Sequence, residues 1–382
     1  MTTMDTIREK VAKGERLTFE DGSFLYRAPL IEVGELANTV RERINGNVAY
    51  WVSNRHLNYS NVCVLTCLFC AFARKPGEEG AYEYSLEEAF AKAEELRGTN
   101  ATEIHIVGGL HPDLPWEYYT DLLKGIKARL PHLHLKCFTA VEIDFFAKKF
   151  GKSIDQVLRE LMDAGLDSLP GGGAEMFAER VRKKICKFKI TGQEWKDIHR
   201  VAHGLGLKST ATMLYGHIET PEDCVDHMVQ LRELQDESKG FTAFIPLLFH
   251  PDNSILSHIR KQSGLSDLRH IAVSRLLLDN FPHIKVYWIM TGTKVAQTAL
   301  SFGADDMDGT VREEKITHMA GATSPQEVNQ AELEALIREA RRVPVRRDTV
   351  YTALDVGASA SLRQPVALPP ASTRRVSTSP IE

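Results

Sequence analysis

The chain has 382 residues, with 47 Lys and Arg against 51 Asp and Glu, a formal charge of −4, and 43% hydrophobic residues. That length accommodates one large barrel with additions or two ordinary domains, and the charge balance carries no electrostatic footprint for nucleic acid or an anionic membrane. Six cysteines, three of them bunched, do not make a secreted disulfide framework, and no run approaches the roughly 20 apolar residues of a membrane span. The expectation is a cytoplasmic protein with a small-molecule partner.

Residues 1–47 predict a helical layer, with helices over 6–12 and 31–44, the second stopped by Asn45-Gly46. Residues 48–52 read as a first strand, and 54–61 lead from it into Cys63-Val64-Leu65-Thr66-Cys67-Leu68-Phe69-Cys70. From there helix and strand signals alternate. A capping box, Ser85 with Glu88, opens a helix that stops near Gly98; a strand at 103–107 ends at Gly108-Gly109. A helix at 116–129 precedes a strand at 134–139, and Ser153 with Gln156 caps the next helix. A short strand at 165–169 runs into Pro170-Gly171-Gly172-Gly173, followed by helices at 174–185 and from Thr191 to about Leu205.

Strands at 209–215 and 241–247 flank a helix opened by Thr220-Pro221. A helix at 266–280, a strand at 284–289, a helix at 293–302 and a short eighth strand at 304–307 complete the pattern. Alternation implies a parallel sheet, and eight units within about 250 residues fit an α/β fold, a closed (β/α)8 TIM-type barrel over 48–322, ahead of a doubly wound open sheet. Ser324 with Glu327 predicts the cap of a C-terminal helix within 323–350, on the barrel exterior, and 351–382 has the composition of a disordered tail.

In such barrels the chemistry sits at the carboxyl ends of the strands, which is where every unusual turn of this chain falls. Cys63, Cys67 and Cys70, at C-x3-C-x2-C, can ligate three irons of a cubane and leave the fourth open for an exchangeable group. Two other readings stand beside this one: buried cysteines on one helix face, and a zinc site completed by a distant fourth ligand. Gly108-Gly109 is either a tight turn or a place where, with no side chain between, the backbone can approach a ligand. Glu175, after three glycines, either complements a helix dipole or accepts hydrogen bonds from a ribose. Thr139, Glu142, Tyr215 and His217 are candidates to line the pocket or are ordinary rim residues.

The cysteine loop, with Phe69 at the aromatic position, resembles the signature of the radical S-adenosylmethionine superfamily, and the pattern extends over most of the chain. Within it the sequence is most similar to the aminofutalosine synthase family of the futalosine route to menaquinone. Near lookalikes are the dehypoxanthine futalosine cyclases and the second subunit of the deazaflavin (FO) synthase. Leu110 stands where many members carry a glutamate.

The resemblance implies a [4Fe-4S] cluster on Cys63, Cys67 and Cys70 and S-adenosylmethionine as a consumed cosubstrate. It further implies contacts to that cosubstrate from Phe69, Gly108, Gly109, Thr139, Glu142 and Glu175, and an external electron donor such as flavodoxin or ferredoxin. The implied reaction adds the 5′-deoxyadenosyl radical to 3-[(1-carboxyvinyl)oxy]benzoate, with rearrangement and decarboxylation to 6-amino-6-deoxyfutalosine. His250, Tyr215 and His217 are the candidate catalytic residues. Arg74, Lys75, His250 and His318 are the candidates to hold the two substrate carboxylates, surface solvation being the plainer account of Arg74 and Lys75. An iron–sulfur electron carrier is the alternative of a different class.

Overall fold

The computed structural model describes residues 2–356. Its strands are β1 (Val48–Val52), β2 (Asn54–Leu57), β3 (Glu103–Ile106), β4 (His134–Cys137), β5 (Ser168–Leu169), β6 (Lys208–Tyr215), β7 (Phe241–Leu248), β8 (His283–Ile284), β9 (Asp306–Gly309), β10 (Val343–Arg347) and β11 (Ala353–Val356). Strands β2 to β8 form one parallel sheet in chain order, which curls with helices packed on its outer face. This is the order that repeated β–helix–β crossovers produce.

The expected eighth strand does not extend that sheet. β9 pairs with β1, which runs on into β2 past Ser53, and reaches β8 through Val286 N to Asp306 O at 2.9 Å and Asp305 N to Ile284 O at 3.1 Å. β9 therefore spans the open side of the curl. Behind it, β10 pairs in parallel with β1 and β11 antiparallel with β10. These two strands occupy positions where the sequence predicts the end of a helix and the start of a tail; residues 357–382 of that expected tail lie outside the described residues.

Local signals set most helix starts. The boxes at Ser85, Ser153 and Thr191 all form, and the helix expected at Thr220-Pro221 starts there, with a capping box to Asp223 as well. Ser324 caps nothing: its hydroxyl donates to Ile289 O at 2.6 Å, and Asn329 caps the last helix, Gln330–Glu339. Residues 174–178 are irregular, so the helix expected from 174 begins at Glu179, and the helical turn Trp288–Thr291 takes up the end of the strand expected at 284–289. The N-terminal layer holds three helices, Met4–Lys13, Phe19–Leu25 and Leu30–Asn45, the third packed on the helix Gly264–Leu277.

Outward-facing positions of the strands, such as Ile104, Leu135 and Phe244, are fully buried under the helices. Inward-facing positions differ from the packed layers that usually fill a barrel of this kind. They carry both polar and apolar side chains around a cavity of about 330 Å3 that opens at the carboxyl ends of the strands. No helix among the described residues is long and apolar enough to cross a membrane.

Candidate active site

The cysteine segment is a pinned loop. Residues 63–70 contain no helix, which removes the reading of three cysteines on one helix face. Cys63 N donates to Arg74 O and Arg74 N to Asn61 O, both at 2.9 Å, while Leu68 N donates to Ile185 O at 2.8 Å. Lys75 Nζ donates to the carbonyls of Cys63, Val64 and Leu65 at 2.9–3.0 Å, and Arg74 Nη1 donates to those of Ala71 and Ala73 at 2.9 Å. Arg74 and Lys75 are thus neither idle surface cations nor substrate anchors; they clamp the loop.

All three thiols are free, half-buried, and line the same cavity mouth. Burial pushes the Cys67 thiol up to about 12, with nearby Lys189 acting against the shift, and raises Cys70 in the same direction. Such thiols stay protonated without a metal, and binding one would release their protons. Among the described residues no three thiol, imidazole or carboxylate groups converge on a single-ion position. Three free thiols on one loop at one cavity are the donor set that a cubane takes, one thiolate per iron.

The glycine pair owes its composition first to close packing. A Cβ on Gly109 would lie 2.2 Å from Val62 O, and one on Gly108 2.6 Å from the Tyr59 ring, so only glycine lets the end of β3 approach the cysteine loop. Gly109 N donates to Ser60 O at 2.8 Å and Val64 N to Leu110 O at 3.1 Å, joining the two segments. Glu142 locks the same corner. One carboxylate oxygen accepts from Thr139 N at 2.7 Å and Thr139 Oγ1 at 2.9 Å, the other from Gly108 N at 3.1 Å and Tyr59 OH at 3.0 Å. Burial pushes its carboxyl up to about 7 against the pull of these bonds. Thr139 and Glu142 line the cavity, yet both are engaged in a capping box, so their evident work is to fix the wall.

Glu175 lies beyond the triple glycine in a left-handed conformation, φ 45°, with Oε1 accepting from Lys189 Nζ at 2.5 Å. Lys189 stands 5.2 Å above the Phe69 ring and lines the cavity with Cys67, Phe69 and Glu175. Sequence reasoning missed Lys189 because it lies in a lysine-rich segment that reads as surface. It lies three residues after Cys186, just past the helix Glu179–Ile185 whose last carbonyl accepts from Leu68 N, a placement that only the tertiary structure shows. His250, past β7, lines the cavity as expected: Nε2 donates to Met290 O at 3.0 Å, leaving Nδ1 buried without a protein partner. Burial lowers its pKa, so the ring is neutral with an accepting Nδ1.

Three candidates lie elsewhere. Thr210, Thr212 and Leu214 of β6 face the cavity, so Tyr215 points the other way, donates to Asp267 Oδ1 at 2.8 Å and stacks on His270. His217 pairs with Glu219 at 2.8 Å and does not reach the cavity. His318 donates from Nδ1 to Glu314 O at 2.7 Å and from Nε2 to Ser324 O at 3.1 Å. Two donating nitrogens require an imidazolium, and the Glu314 side chain beside it helps lift the pKa to about 9. None of the three is available to a ligand in the cavity.

Comparison with known proteins agrees with this arrangement. Residues 57–231 match the radical SAM superfamily and residues 238–360 the CofH/MqnC C-terminal region. The aminodeoxyfutalosine synthase of Thermus thermophilus is 48% identical over 350 residues, covering 90% of this chain and 94% of that one. The aminodeoxyfutalosine synthase of Streptomyces coelicolor is 49% identical over 360 residues, covering 91% and 93%. The crystal structure of methylornithine synthase shares the fold, with a TM-score of 0.68 at 18% identity over 88% of this chain and 95% of that one. A cysteine loop pinned across the carboxyl end of a curled parallel sheet, and near-half identity along nine-tenths of its length, place the chain in the radical SAM superfamily, among the enzymes that carry the CofH/MqnC C-terminal region.

Proposed function

We propose that this chain is an aminodeoxyfutalosine synthase, which joins the adenosyl group of S-adenosylmethionine to an aryl enol ether dicarboxylate, 3-[(1-carboxyvinyl)oxy]benzoate. The observation that carries the reading is identity of 48–49% to two proteins of that name along nearly the whole chain, with Cys63, Cys67 and Cys70 at one cavity mouth. Those thiols would hold a [4Fe-4S] cluster, whose chemistry is one-electron reduction of a sulfonium, fed by an external donor such as flavodoxin or ferredoxin.

The chain's own residues do the positioning. Gly108 and Gly109 bring the end of β3 against the cysteine loop, with Glu142 fixing Gly108 and Thr139, so the cosubstrate's binding wall is rigid before it binds. Phe69, Gly108, Gly109, Thr139 and Glu175 face the same mouth, which supports their assignment to the cosubstrate; Glu175, with one oxygen on Lys189, keeps a second oxygen for ribose hydroxyls. His250 presents a neutral acceptor with its tautomer set by Met290 O, suited to taking a proton from the substrate side. Tyr215 and His217 face away from the cavity and have no such role.

In the implied reaction one electron breaks the bond from sulfur to C5′ and releases methionine, C5′ bonds to the vinyl carbon, the aryl group migrates from oxygen to carbon, and the carboxylate is lost with return of the electron, water converting it to bicarbonate. Enclosure of the cavity by the barrel wall keeps water and hydrogen donors from a reactive carbon centre. The test is anaerobic reconstitution with iron and sulfide, then dithionite, S-adenosylmethionine and the enolpyruvyl benzoate, read by mass spectrometry. An adduct retaining adenosine is expected. Free 5′-deoxyadenosine with a cyclised product from dehypoxanthine futalosine would instead identify a cyclase, and failure to cleave S-adenosylmethionine would return the chain to the electron carriers.

A further inference from the structure

Below the mouth, the wall of the cavity is divided chemically. β7 contributes Ile245 and Leu247, and β6 contributes Leu214 beside Thr210 and Thr212, whereas β2, β3 and β4 contribute His56, His105 and Lys136. The strand register sets His56 opposite His105 and His105 opposite Lys136, so three nitrogen side chains stand side by side at one level. His56 Nε2 and His105 Nδ1 are 3.4 Å apart, and His105 Nε2 has no protein partner.

Lys136 is the least satisfied cation of the cavity. Its Nζ makes no hydrogen bond among the described residues; the nearest carboxylate oxygen, Glu103 Oε2, is 3.8 Å away and itself accepts none. The other two lysines of the wall each hold a close ion pair, Lys189 with Glu175 at 2.5 Å and Lys285 with Asp308 at 2.8 Å. A buried ammonium is costly unless acceptors surround it, and a slack pair with Glu103 does not supply them.

We propose that Lys136 and His105 form an inner carboxylate subsite that receives the ring carboxylate of the substrate. The inference rests on the functional reading above, in which two carboxylates must be held. The cations near the mouth are committed elsewhere: Arg74 and Lys75 to the cysteine loop and His318 to Glu314 and Ser324. Ile245 and Leu247 of β7 line the same cavity and offer apolar surface for an aryl ring. Glu103 beneath the ammonium keeps it charged when the subsite is free; burial draws Lys136 down to about 8, still above neutrality.

The experiment is equilibrium binding to the reconstituted, unreduced protein, with two stable probes. 3-(Carboxymethoxy)benzoate carries both carboxylates, and phenoxyacetate lacks the one on the ring. Wild type is expected to prefer the first by roughly 10- to 100-fold, the range of one charge-assisted hydrogen bond in a desolvated site. Lys136→Met should abolish that preference while phenoxyacetate binds as before, and Lys136→Arg should restore part of it. His105→Gln, a milder change, should reduce the preference several-fold and covers the case in which Lys136→Met fails to fold. A preference that survives Lys136→Met, or equal weakening of both probes, overturns the subsite. Because no turnover is read, failure here is separate from failure to form the adenosine adduct, which tests the functional reading.

Discussion

Replacing Gly109 with alanine tests whether the glycine pair exists to let β3 approach the cysteine loop. The new Cβ would meet Val62 O at 2.2 Å, Val62 C at 2.7 Å and Asn61 C at 3.0 Å, all backbone atoms that no rotamer change can move aside. Overpacking of this kind costs about 1–3 kcal/mol. Separating the segments also endangers Gly109 N to Ser60 O and Val64 N to Leu110 O, at about 0.5–1.5 kcal/mol each. The expected loss is therefore about 2–6 kcal/mol, a large part of a typical domain's 5–15 kcal/mol.

Denaturant unfolding of the apoprotein, followed by circular dichroism and tryptophan fluorescence, measures the loss. Iron and sulfide content after anaerobic reconstitution reports the displaced loop. Gly204→Ala is the control: it lies in the helix Gly192–Gly204 with nothing within 4 Å of the added Cβ, and should stabilise by about 0.5–1 kcal/mol. If Gly109→Ala lies within about 0.5 kcal/mol of wild type, the ordinary scatter of surface substitutions, and loads iron normally, the steric argument is wrong.

Cys67→Ala should abolish cluster absorbance and cleavage of S-adenosylmethionine together, and turnover retained without one thiol would remove the ligand assignment. Lys75→Met deletes three hydrogen bonds to loop carbonyls at an exposed site, so global stability should fall by no more than about 1 kcal/mol. A chelator should nonetheless strip iron several-fold faster, and an unchanged rate would show that Lys75 does not clamp the loop. His318, held by Glu314, has its pKa raised from 6.5 to about 9. The contribution of a raised cationic group is complete below pH 6.5 and disappears as pH climbs through 9. Solvent at the imidazole edge screens the pair, leaving roughly 1–2 kcal/mol. Unfolding midpoints of wild type and His318→Gln should accordingly differ at pH 6 and coincide near pH 10; a constant gap would contradict the assignment.

Helix starts were legible because a capping box is written in four adjacent residues, as at Ser85, Ser153 and Thr191, and a proline in the first turn marks the start at Thr220. The cysteine loop was legible for the same reason: its chemistry lies in eight consecutive residues. β10 was not, since Val343–Arg347 contains a proline and two arginines and becomes a strand only by pairing with β1, almost 300 residues earlier. Tyr215 and His217 were misplaced because position at a strand end does not decide facing; the alternation that turns Leu214 inward turns Tyr215 out.

What the sequence determined by itself is therefore the local grammar: capped helices, alternating strands, three thiols within one loop. Tertiary structure alone decided which groups share the cavity. A lysine in a strand reads as solvent-facing, but curling the sheet makes its polar face an interior, and Lys136, His105 and Glu103 are enclosed by strands whose registry no short window encodes. Closure inverts the usual meaning of a polar residue, because the water that would solvate it is replaced by a walled cavity and the ligand that fits there.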